Sequence, residues 1–432
     1  MKKRVTIGIV CLARETFDFN AAKEIYEAQK LKLKNIDNVN WEFIDDLVMS
    51  VEEAEAAGIK LAASAVDGLV IISGTFHLGH LALIMDKYVR RPILLWAFNE
   101  LPYNGGKIRL NSVCGINLNA SNLYKSGNDC YSCTVSDNID MEWIEALRIK
   151  AALTNAHVGI AGYRAQGFFN LSIEDLSLFK KTGILIDHYE LAELYPNGGE
   201  EQYDVKELFD CSCITEEQVS KVGALAASLE TFLKKNKLDA LALRCWPEFA
   251  NAYGISPCAA MSVLGSKDYT ISCEGDVEGA ISLLACRAIS DQAPFFADLS
   301  QVNLKEDYAL MWHCGVAPEC LWDKKSVKSL DTYFAGGRGV TADFVLKSGP
   351  VTIFRIDTAR GKTRIFLQRG NAITTEKELK GTYCKVKLEK HIGKVLDIVT
   401  STGIAHHVAM VYGDYSGTLR KFAKMMDFEI IE

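Results

Sequence analysis

Short apolar runs alternate with amphipathic segments along the first third of the chain. The runs at residues 67–73 and 91–96 are almost wholly apolar, as expected of parallel strands covered on both faces. Between such runs, for example over residues 20–33, apolar side chains recur at helical spacing. The pattern predicts βαβ units, and therefore a parallel sheet with right-handed crossovers.

A second α/β unit is predicted from residue 157 onward. Its first strand runs into a turn containing Gly162 and Gly167, whose spacing does not match a dinucleotide-binding fingerprint. Thr215 and Gln218 have the spacing of a capping box, which predicts the start of a helix. Further apolar runs of strand type follow at residues 185–189, 238–244, 269–273, 294–298 and 308–313.

The pattern changes near residue 340. Residues 351–356 and 362–367 alternate between apolar and polar side chains, and the polar residues between them predict a hairpin. Further strands are predicted at residues 385–388, 395–399 and 408–412. A final helix and a last short strand follow them.

These patterns together predict an α/β fold. We expect two Rossmann-like parallel-sheet α/β domains, at residues 1–156 and 157–335, followed by a mainly antiparallel, barrel-like β domain at residues 336–432. Within the first domain, residues 99–129 lack strong periodicity and are predicted to be rich in loops.

Composition excludes several classes of protein. The net charge of −7 argues against a nucleic-acid binder, and no apolar run reaches the roughly 20 residues of a membrane helix. The apolar run at the amino terminus is short and lacks a cleavage site, so we interpret it as a first strand rather than an export signal. The 13 cysteines are then expected to be reduced thiols, in a cytoplasmic protein.

The spacing of the cysteines predicts no structural zinc site. The close pairs at 130/133 and 211/213 each lack a second pair at the spacing of zinc ligands. Cysteines inside apolar segments, such as Cys273 and Cys314, are most simply explained as core residues.

Acidic and imidazole side chains follow the ends of several predicted strands. Glu248 comes after one strand, and Glu274 and Asp276 come after another. His313 ends a strand, and His407 opens one. Because ligands bind beyond the carboxyl ends of parallel strands, and gathered carboxylates are costly to bury without a cation, these residues predict a divalent metal site. Oxygen ligands mixed with nitrogen favour Mn²⁺ or Mg²⁺, with Co²⁺ or Fe²⁺ as alternatives.

Each of these residues also has a structural interpretation. Glu248 is equally compatible with an exposed helix-start residue, and Glu274 or Asp276 with an acid that stabilises a helix dipole. A histidine at a strand end is often a structural residue with satisfied hydrogen bonds. Trp246 fits either the core or a stacking platform for a sugar.

Four segments resemble the L-fucose isomerase family, which is related to L-arabinose isomerase. The resemblance also includes the three-part architecture, and it is carried by the motifs Arg244-Cys-Trp-Pro-Glu-Phe, Cys273-Glu-Gly-Asp-Val-Glu-Gly-Ala, Trp312-His-Cys-Gly and His406-His-Val-Ala-Met-Val-Tyr-Gly.

The resemblance implies an aldose–ketose isomerase that works through a cis-enediol. It implies Mn²⁺ held by Glu248, Asp276 and His407, with Glu274 as the alternative second acid. Glu248 and Asp276 are the predicted catalytic residues, and His313 falls where the arabinose branch has another metal-site histidine.

The same resemblance implies how the substrate is reached. Trp246 and Arg14 are the predicted substrate-binding residues, with Arg14 reaching the sugar from a neighbouring subunit of a trimeric or hexameric homo-oligomer. The expected substrate is a sugar like L-fucose or L-arabinose, although the first-domain loops do not match obviously and leave a phosphorylated or sulfonated derivative open. A non-catalytic sugar sensor and a metal-dependent aldolase are the alternatives.

Overall fold

A five-stranded parallel sheet forms the amino-terminal part of the computed structural model, which describes residues 2–198, 202–334 and 337–432. Its strand order, β2-β1-β3-β4-β5, is that of a doubly wound sheet. The strands are β1 (Val5–Leu12), β2 (Val39–Phe43), β3 (Gly68–Ser73), β4 (Ile93–Ala97) and β5 (Tyr131–Val135), and the helices between and after them are α1 (Phe19–Leu33), α2 (Val51–Ala63), α3 (His80–Val89), α4 (Ser112–Lys125) and α5 (Met141–Thr154).

A second parallel sheet follows, with the order β7-β6-β8-β9. Its strands are short, at three to five residues each. They are β6 (His157–Ala161), β7 (Leu185–Tyr189), β8 (Ala240–Leu243) and β9 (Ile271–Cys273), and the helices of this region are α6 (Asp175–Thr182), α7 (Glu216–Lys235), α8 (Glu248–Ala252), α9 (Cys258–Gly265) and α10 (Val277–Arg287).

The rest of the chain forms a mixed, mainly antiparallel sheet that closes on itself. Six of its strands form an antiparallel ring in the order β16-β11-β10-β17-β14-β15, because β15 also pairs with β16. The strands are β10 (Phe295–Asn303), β11 (Tyr308–His313), β12 (Ser329–Phe334), β13 (Gly339–Val345), β14 (Gly349–Ala359), β15 (Lys362–Ile373), β16 (Thr382–Leu388), β17 (His407–Tyr412) and β18 (Glu429–Ile431), with helices α11 (Ile392–Thr402) and α12 (Ser416–Met426). The predicted fold class, two parallel α/β sheets followed by a barrel-like sheet, is confirmed.

The described residues fall into two compact units. An N-terminal unit comprises residues 2–151 and 418–427, and a C-terminal unit comprises residues 152–417 and 428–432. The three-domain division remains a prediction. Strands β10 and β11, which were predicted within the second α/β domain, pair with strands of the barrel.

One local prediction was wrong. Residues 395–399 are not a strand but belong to α11, because Ile392, Val395 and Val399 have helical spacing and Gly403 ends the helix with a positive φ. Residues 99–129, predicted to be rich in loops, contain the 14-residue helix α4, and the other 17 residues lie outside helices and strands. No helix among the described residues is long and apolar enough to cross a bilayer.

Helix α10 connects the second sheet to the barrel. Its residues from Val277 to Leu283 are all buried, because it packs against β8 and β9 on one side and against β14 and β17 on the other. The hydroxyl of Ser282 accepts a hydrogen bond from the backbone N–H of Ile356, which links the helix to β14 at 2.8 Å. The turn that begins α10 therefore lies where the sheet and the barrel meet.

Candidate active site

A tight turn between β9 and α10 carries two acids. Glu274 has a φ of 62° and Gly275 a φ of 73°, both in the left-handed region. This conformation is unusual for a glutamate and is found disproportionately at functional sites. Asp276 then caps α10, accepting a hydrogen bond from the N–H of Gly279 at 2.8 Å. The turn thus places two carboxylates two residues apart at the edge of the parallel sheet.

His407, the first residue of β17, lies between these acids. Its Nε2 is 2.9 Å from Glu274 Oε2, and its Nδ1 is 2.9 Å from Asp276 Oδ2. The ring is fully buried, which by itself would lower its pKa, but the hydrogen bonds to Asp276 and Glu274 raise it to about 9. Burial would likewise raise the pKa of Glu274, but the hydrogen bond with His407 and the nearby imidazoles lower it to about 2. With a carboxylate at each nitrogen, the ring favours its imidazolium form.

A third acid lies beside His407 on the neighbouring strand of the barrel. Asp298 of β10 is the register partner of His407 in the antiparallel β10–β17 pair. Its Oδ1 lies 3.4 Å from His407 Nε2, the nitrogen that also faces Glu274. Sheet register therefore brings together residues that are 109 positions apart in the sequence.

Asp276 is held on both of its oxygens. The guanidinium of Arg355 donates to Oδ2 at 2.7 Å and to Oδ1 at 3.2 Å, and neither residue has measurable side-chain exposure. Burial alone would raise the pKa of Asp276, but the charge of Arg355 and the hydrogen bond with His407 move it far below its usual range. Asp276 is therefore a fixed anion that orients His407.

Two buried polar atoms at this site have no hydrogen-bond partner among the described residues. They are Asp298 Oδ1 and His313 Nε2. The Nδ1 of His313 accepts a hydrogen bond from the backbone N–H of Cys314 at 2.9 Å, so the neutral ring carries its proton on Nε2. His313 consequently offers a donor, rather than a lone pair, toward the site.

The donor atoms are close enough to share a cation. The ligand atoms of Glu274, His406 and His407 all lie within 4.8 Å of one another, and Asp298 Oδ1 lies 3.4 Å from His407 Nε2. Carboxylate oxygens combined with imidazole nitrogens suit Mn²⁺, Mg²⁺ or Co²⁺ better than a thiophilic ion. The unpartnered oxygen of Asp298 fits such an ion, because a buried carboxylate oxygen without a donor is costly.

Aromatic side chains wall the site. Phe168, in the loop after β6, has its ring 5.4 Å from that of His406 and 6.3 Å from that of Trp246. Trp246 donates its indole N–H to Glu274 Oε1 at 2.9 Å. Trp246, predicted as a substrate-binding residue, therefore holds a carboxylate of the site in position.

Two further predicted site residues, Glu248 and Arg14, have other partners. Glu248, on α8, forms an ion pair with Arg244 at 2.8 Å, and its Oε2 is buried without a hydrogen-bond partner among the described residues. Arg14 belongs to the N-terminal unit, just beyond the end of β1, where its backbone N–H donates to Thr75 at 2.9 Å.

The sequence interpretation did not select Asp298 or Arg355. Asp298 was the last residue of a predicted strand, so an acid at a strand end was a signal available in the sequence. Arg355 stands in the alternating segment 351–356 on the same face as two apolar residues, Val351 and Ile353, and a basic residue at an inward position indicates a buried acid as its partner.

Comparison with known proteins identifies the class of molecule. Residues 8–147 match the family model described as "Fucose/sulfoquinovose isomerase, N-terminal domain", and residues 311–432 match "L-fucose isomerase, C-terminal domain". Together these matches span more than half of the chain and include His313 and His407. The molecule is thus a sugar isomerase. The chain belongs to the fucose/sulfoquinovose isomerase family.

Similar proteins with assigned names agree with this family. The chain is 26% identical to the sulfoquinovose isomerase of Priestia aryabhattai over 444 residues, covering 99% of each chain. It is 24% identical to the sulfoquinovose isomerase of Alkalicoccus urumqiensis, again covering 99% of each. It is 25% identical to the sulfoquinovose isomerase of Clostridium sp. (strain MSTE9), over 78% of this chain and 80% of that relative.

Proposed function

We propose that this chain isomerises sulfoquinovose, an aldose with a sulfonate on its sixth carbon, to the corresponding 2-ketose through a cis-enediol. The observation that carries the proposal is the convergence of Glu274 and Asp298 on one nitrogen of His407. The substrate is supported by the relatives, which share nearly the whole length of the chain and are sulfoquinovose isomerases.

We propose that Glu274, Asp298 and His407 hold a divalent cation, Mn²⁺ first and Mg²⁺ or Co²⁺ as alternatives. The cation would replace the proton on His407 Nε2, while Nδ1 keeps its proton toward Asp276. When bound, the cation would supply a Lewis acid for the negative charge that develops on the sugar oxygens. Asp276 would hold the imidazole of His407 in position, as carboxylates behind metal-binding histidines commonly do. This ligand set differs from the predicted one, in which Glu248 and Asp276 accompany His407.

The proposed reaction needs carboxylates that move protons. The open-chain aldose loses the hydrogen on C2 and gains one on C1, while a hydroxyl proton passes from O2 to O1. Glu274 and Asp298 are the candidates for the base that takes the first proton and the acid that returns it. Asp276 suits neither role, because its buried ion pair with Arg355 and its hydrogen bond from Gly279 hold it as a fixed anion at the start of α10. His313 would donate from Nε2 to a sugar oxygen.

A sulfonate needs a cationic partner, and we propose Arg164 for it. The loop that carries Arg164 lies against the Glu274 turn, since the N–H of Ala165 donates to the carbonyl of Glu274 at 2.9 Å. The guanidinium lies over the rings of Tyr163 and Phe169, and its Nε has no hydrogen-bond partner within the described residues. Arg14 of a neighbouring copy in a homo-oligomer remains a second candidate for contact with the sugar.

The decisive experiment incubates the purified protein and Mn²⁺ with sulfoquinovose, D-glucose, L-fucose and L-arabinose, and measures ketose formation. We expect turnover of sulfoquinovose, and we expect Asp298→Asn to lower kcat by roughly a thousandfold or more. Glu248→Gln is the matched control and should keep its activity. Full activity of Asp298→Asn together with loss in Glu248→Gln would restore the ligand set predicted from the resemblance.

The products separate the alternative functions. Isomerisation conserves the carbon chain, whereas an aldolase releases two smaller carbonyl compounds. Saturable binding of a sugar without any conversion, with or without Mn²⁺, would identify a sensor and contradict the proposal.

A further inference from the structure

Four cysteine thiols meet beneath the candidate active site. Cys258 Sγ lies 3.5 Å from Cys314 Sγ, and Cys273 Sγ lies 2.9 Å from Cys245 Sγ. The sulfurs of Cys258, Cys273 and Cys314 all lie within 4.8 Å of one another. None of the four takes part in a disulfide.

The four thiols come from separate elements of the fold. Cys273 ends β9, Cys258 is the first residue of α9, Cys314 follows β11, and Cys245 lies two residues after β8. Three of these elements belong to the second α/β region, whereas β11 is a strand of the barrel. No zinc-like spacing is visible in the sequence, because these proposed ligands are 13, 15 and 41 positions apart along the chain.

The surroundings suit a cation that prefers sulfur. All four side chains are buried, with at most 4% exposure. Thiolates bound to tetrahedral zinc at about 2.3 Å lie roughly 3.8 Å from one another. The sulfurs of Cys258, Cys273 and Cys314 all lie within 4.8 Å of one another, and Cys245 Sγ lies 2.9 Å from Cys273 Sγ, so small side-chain shifts would bring the thiols to this spacing. The amino-terminal end of α9 adds a favourable positive potential for a thiolate at Cys258.

We propose that Cys245, Cys258, Cys273 and Cys314 form a closed structural site for Zn²⁺, distinct from the carboxylate–imidazole site. The two sites select different ions because thiolates favour Zn²⁺ and carboxylates favour Mn²⁺ or Mg²⁺. Each thiol releases its proton to solvent when the ion binds, and no electron transfer is involved. The ion would tie the second α/β region to the barrel directly beneath Glu274 and His313, which follow and precede two of the ligands.

The first test measures zinc in the full-length protein by mass spectrometry after growth with zinc and dialysis. We expect about one tightly held Zn²⁺ per chain, retained when Asp298→Asn disrupts the other site, so that the result does not depend on the proposed isomerase activity. Cys258→Ser and Cys314→Ser should each lose it, whereas Cys286→Ser and Cys384→Ser, which remove buried thiols outside the cluster, should keep it.

A second measurement covers the case in which a cluster variant fails to fold. Wild-type protein stripped of zinc and loaded with Co²⁺ should show the strong near-ultraviolet absorption of thiolate-to-cobalt charge transfer, which oxygen and imidazole ligands do not produce. Wild-type protein that retains no zinc and shows no such absorption would overturn the proposal, and the cluster would then be four thiols packed in a core.

Discussion

At the scale of single residues, the site depends on carboxylates in unequal environments. Glu274 and Asp298 share one nitrogen of His407, and Asp298 has an oxygen without a partner. Asp276 is two residues from Glu274, yet Arg355 and Gly279 saturate it. The three acids therefore differ in how firmly they are held: Asp276 pairs with a buried guanidinium, Glu274 accepts hydrogen bonds from Trp246 and His407, and Asp298 alone of the three keeps an oxygen without a partner among the described residues.

The residue that we expect to select the substrate is Arg164. Replacing Arg164 with methionine should raise KM for sulfoquinovose by roughly tenfold to a hundredfold, because a hydrogen bond to a charged group contributes about 1.5–3 kcal/mol. The kcat/KM for a neutral aldose should change little, and Arg164→Lys should recover part of the affinity for the sulfonate. Steady-state kinetics on both sugars measures the split. An equal loss on both would assign Arg164 to the structure of the loop rather than to recognition of the anion.

Whether a site residue could be predicted from the sequence depends on how far along the chain its contacting residues lie. His407 and Glu274 were selected because each stands beside the end of an apolar run. The different environments of Asp276 and Asp298 could not be predicted from the sequence. They depend on the β10–β17 register and on the guanidinium of Arg355, 79 positions away from Asp276. Local pattern identifies strand ends, whereas the pairing of strands decides which ends meet.

At the scale of elements, the turn between β9 and α10 is where the fold positions Glu274 and Asp276. The α/β rhythm and the hairpin at β14–β15 were predictable, because period and turn residues are local properties. The conformation of Glu274 was not, because its positive φ is enforced by the backbone of residues 163–165 packed against the turn. A Cβ on Gly275 would lie 2.3 Å from the carbonyl oxygen of Tyr163.

Gly275→Ala should therefore lower the free energy of unfolding by about 3 kcal/mol, the sum of a left-handed φ and a backbone clash. Gly403→Ala is the matched control, because Gly403 also has a positive φ of 69° but a Cβ there meets nothing within 4 Å. It should cost only about 1–2 kcal/mol. Urea denaturation of both variants gives the comparison. Equal losses would mean that the turn moves freely and that residues 163–165 do not fix Glu274.

At the scale of the whole molecule, a segment near the C-terminus belongs to the N-terminal unit. Residues 418–427 belong with residues 2–151, although 266 residues of the other unit intervene. Within the N-terminal unit, Lys421 pairs with Asp140 at 2.8 Å and with Glu142 at 2.6 Å. The side chain of Phe422 is fully buried. The amphipathic segment at residues 419–426 predicted a helix, but nothing local indicated which unit it completes.

Because residues 418–427 belong to the N-terminal unit, a mutation in α12 should destabilise that unit. Phe422→Ala should destabilise the protein by about 3–5 kcal/mol, because it removes a fully buried aromatic ring. Hydrogen-exchange mass spectrometry should then detect faster exchange in β1, β3 and β4, with β14 and β17 of the C-terminal unit unchanged, and Phe422→Leu should reproduce the effect only weakly. Faster exchange confined to the barrel would mean that α12 stabilises the unit preceding it in sequence. In that case, the first 151 residues would hold their fold without their carboxy-terminal helix.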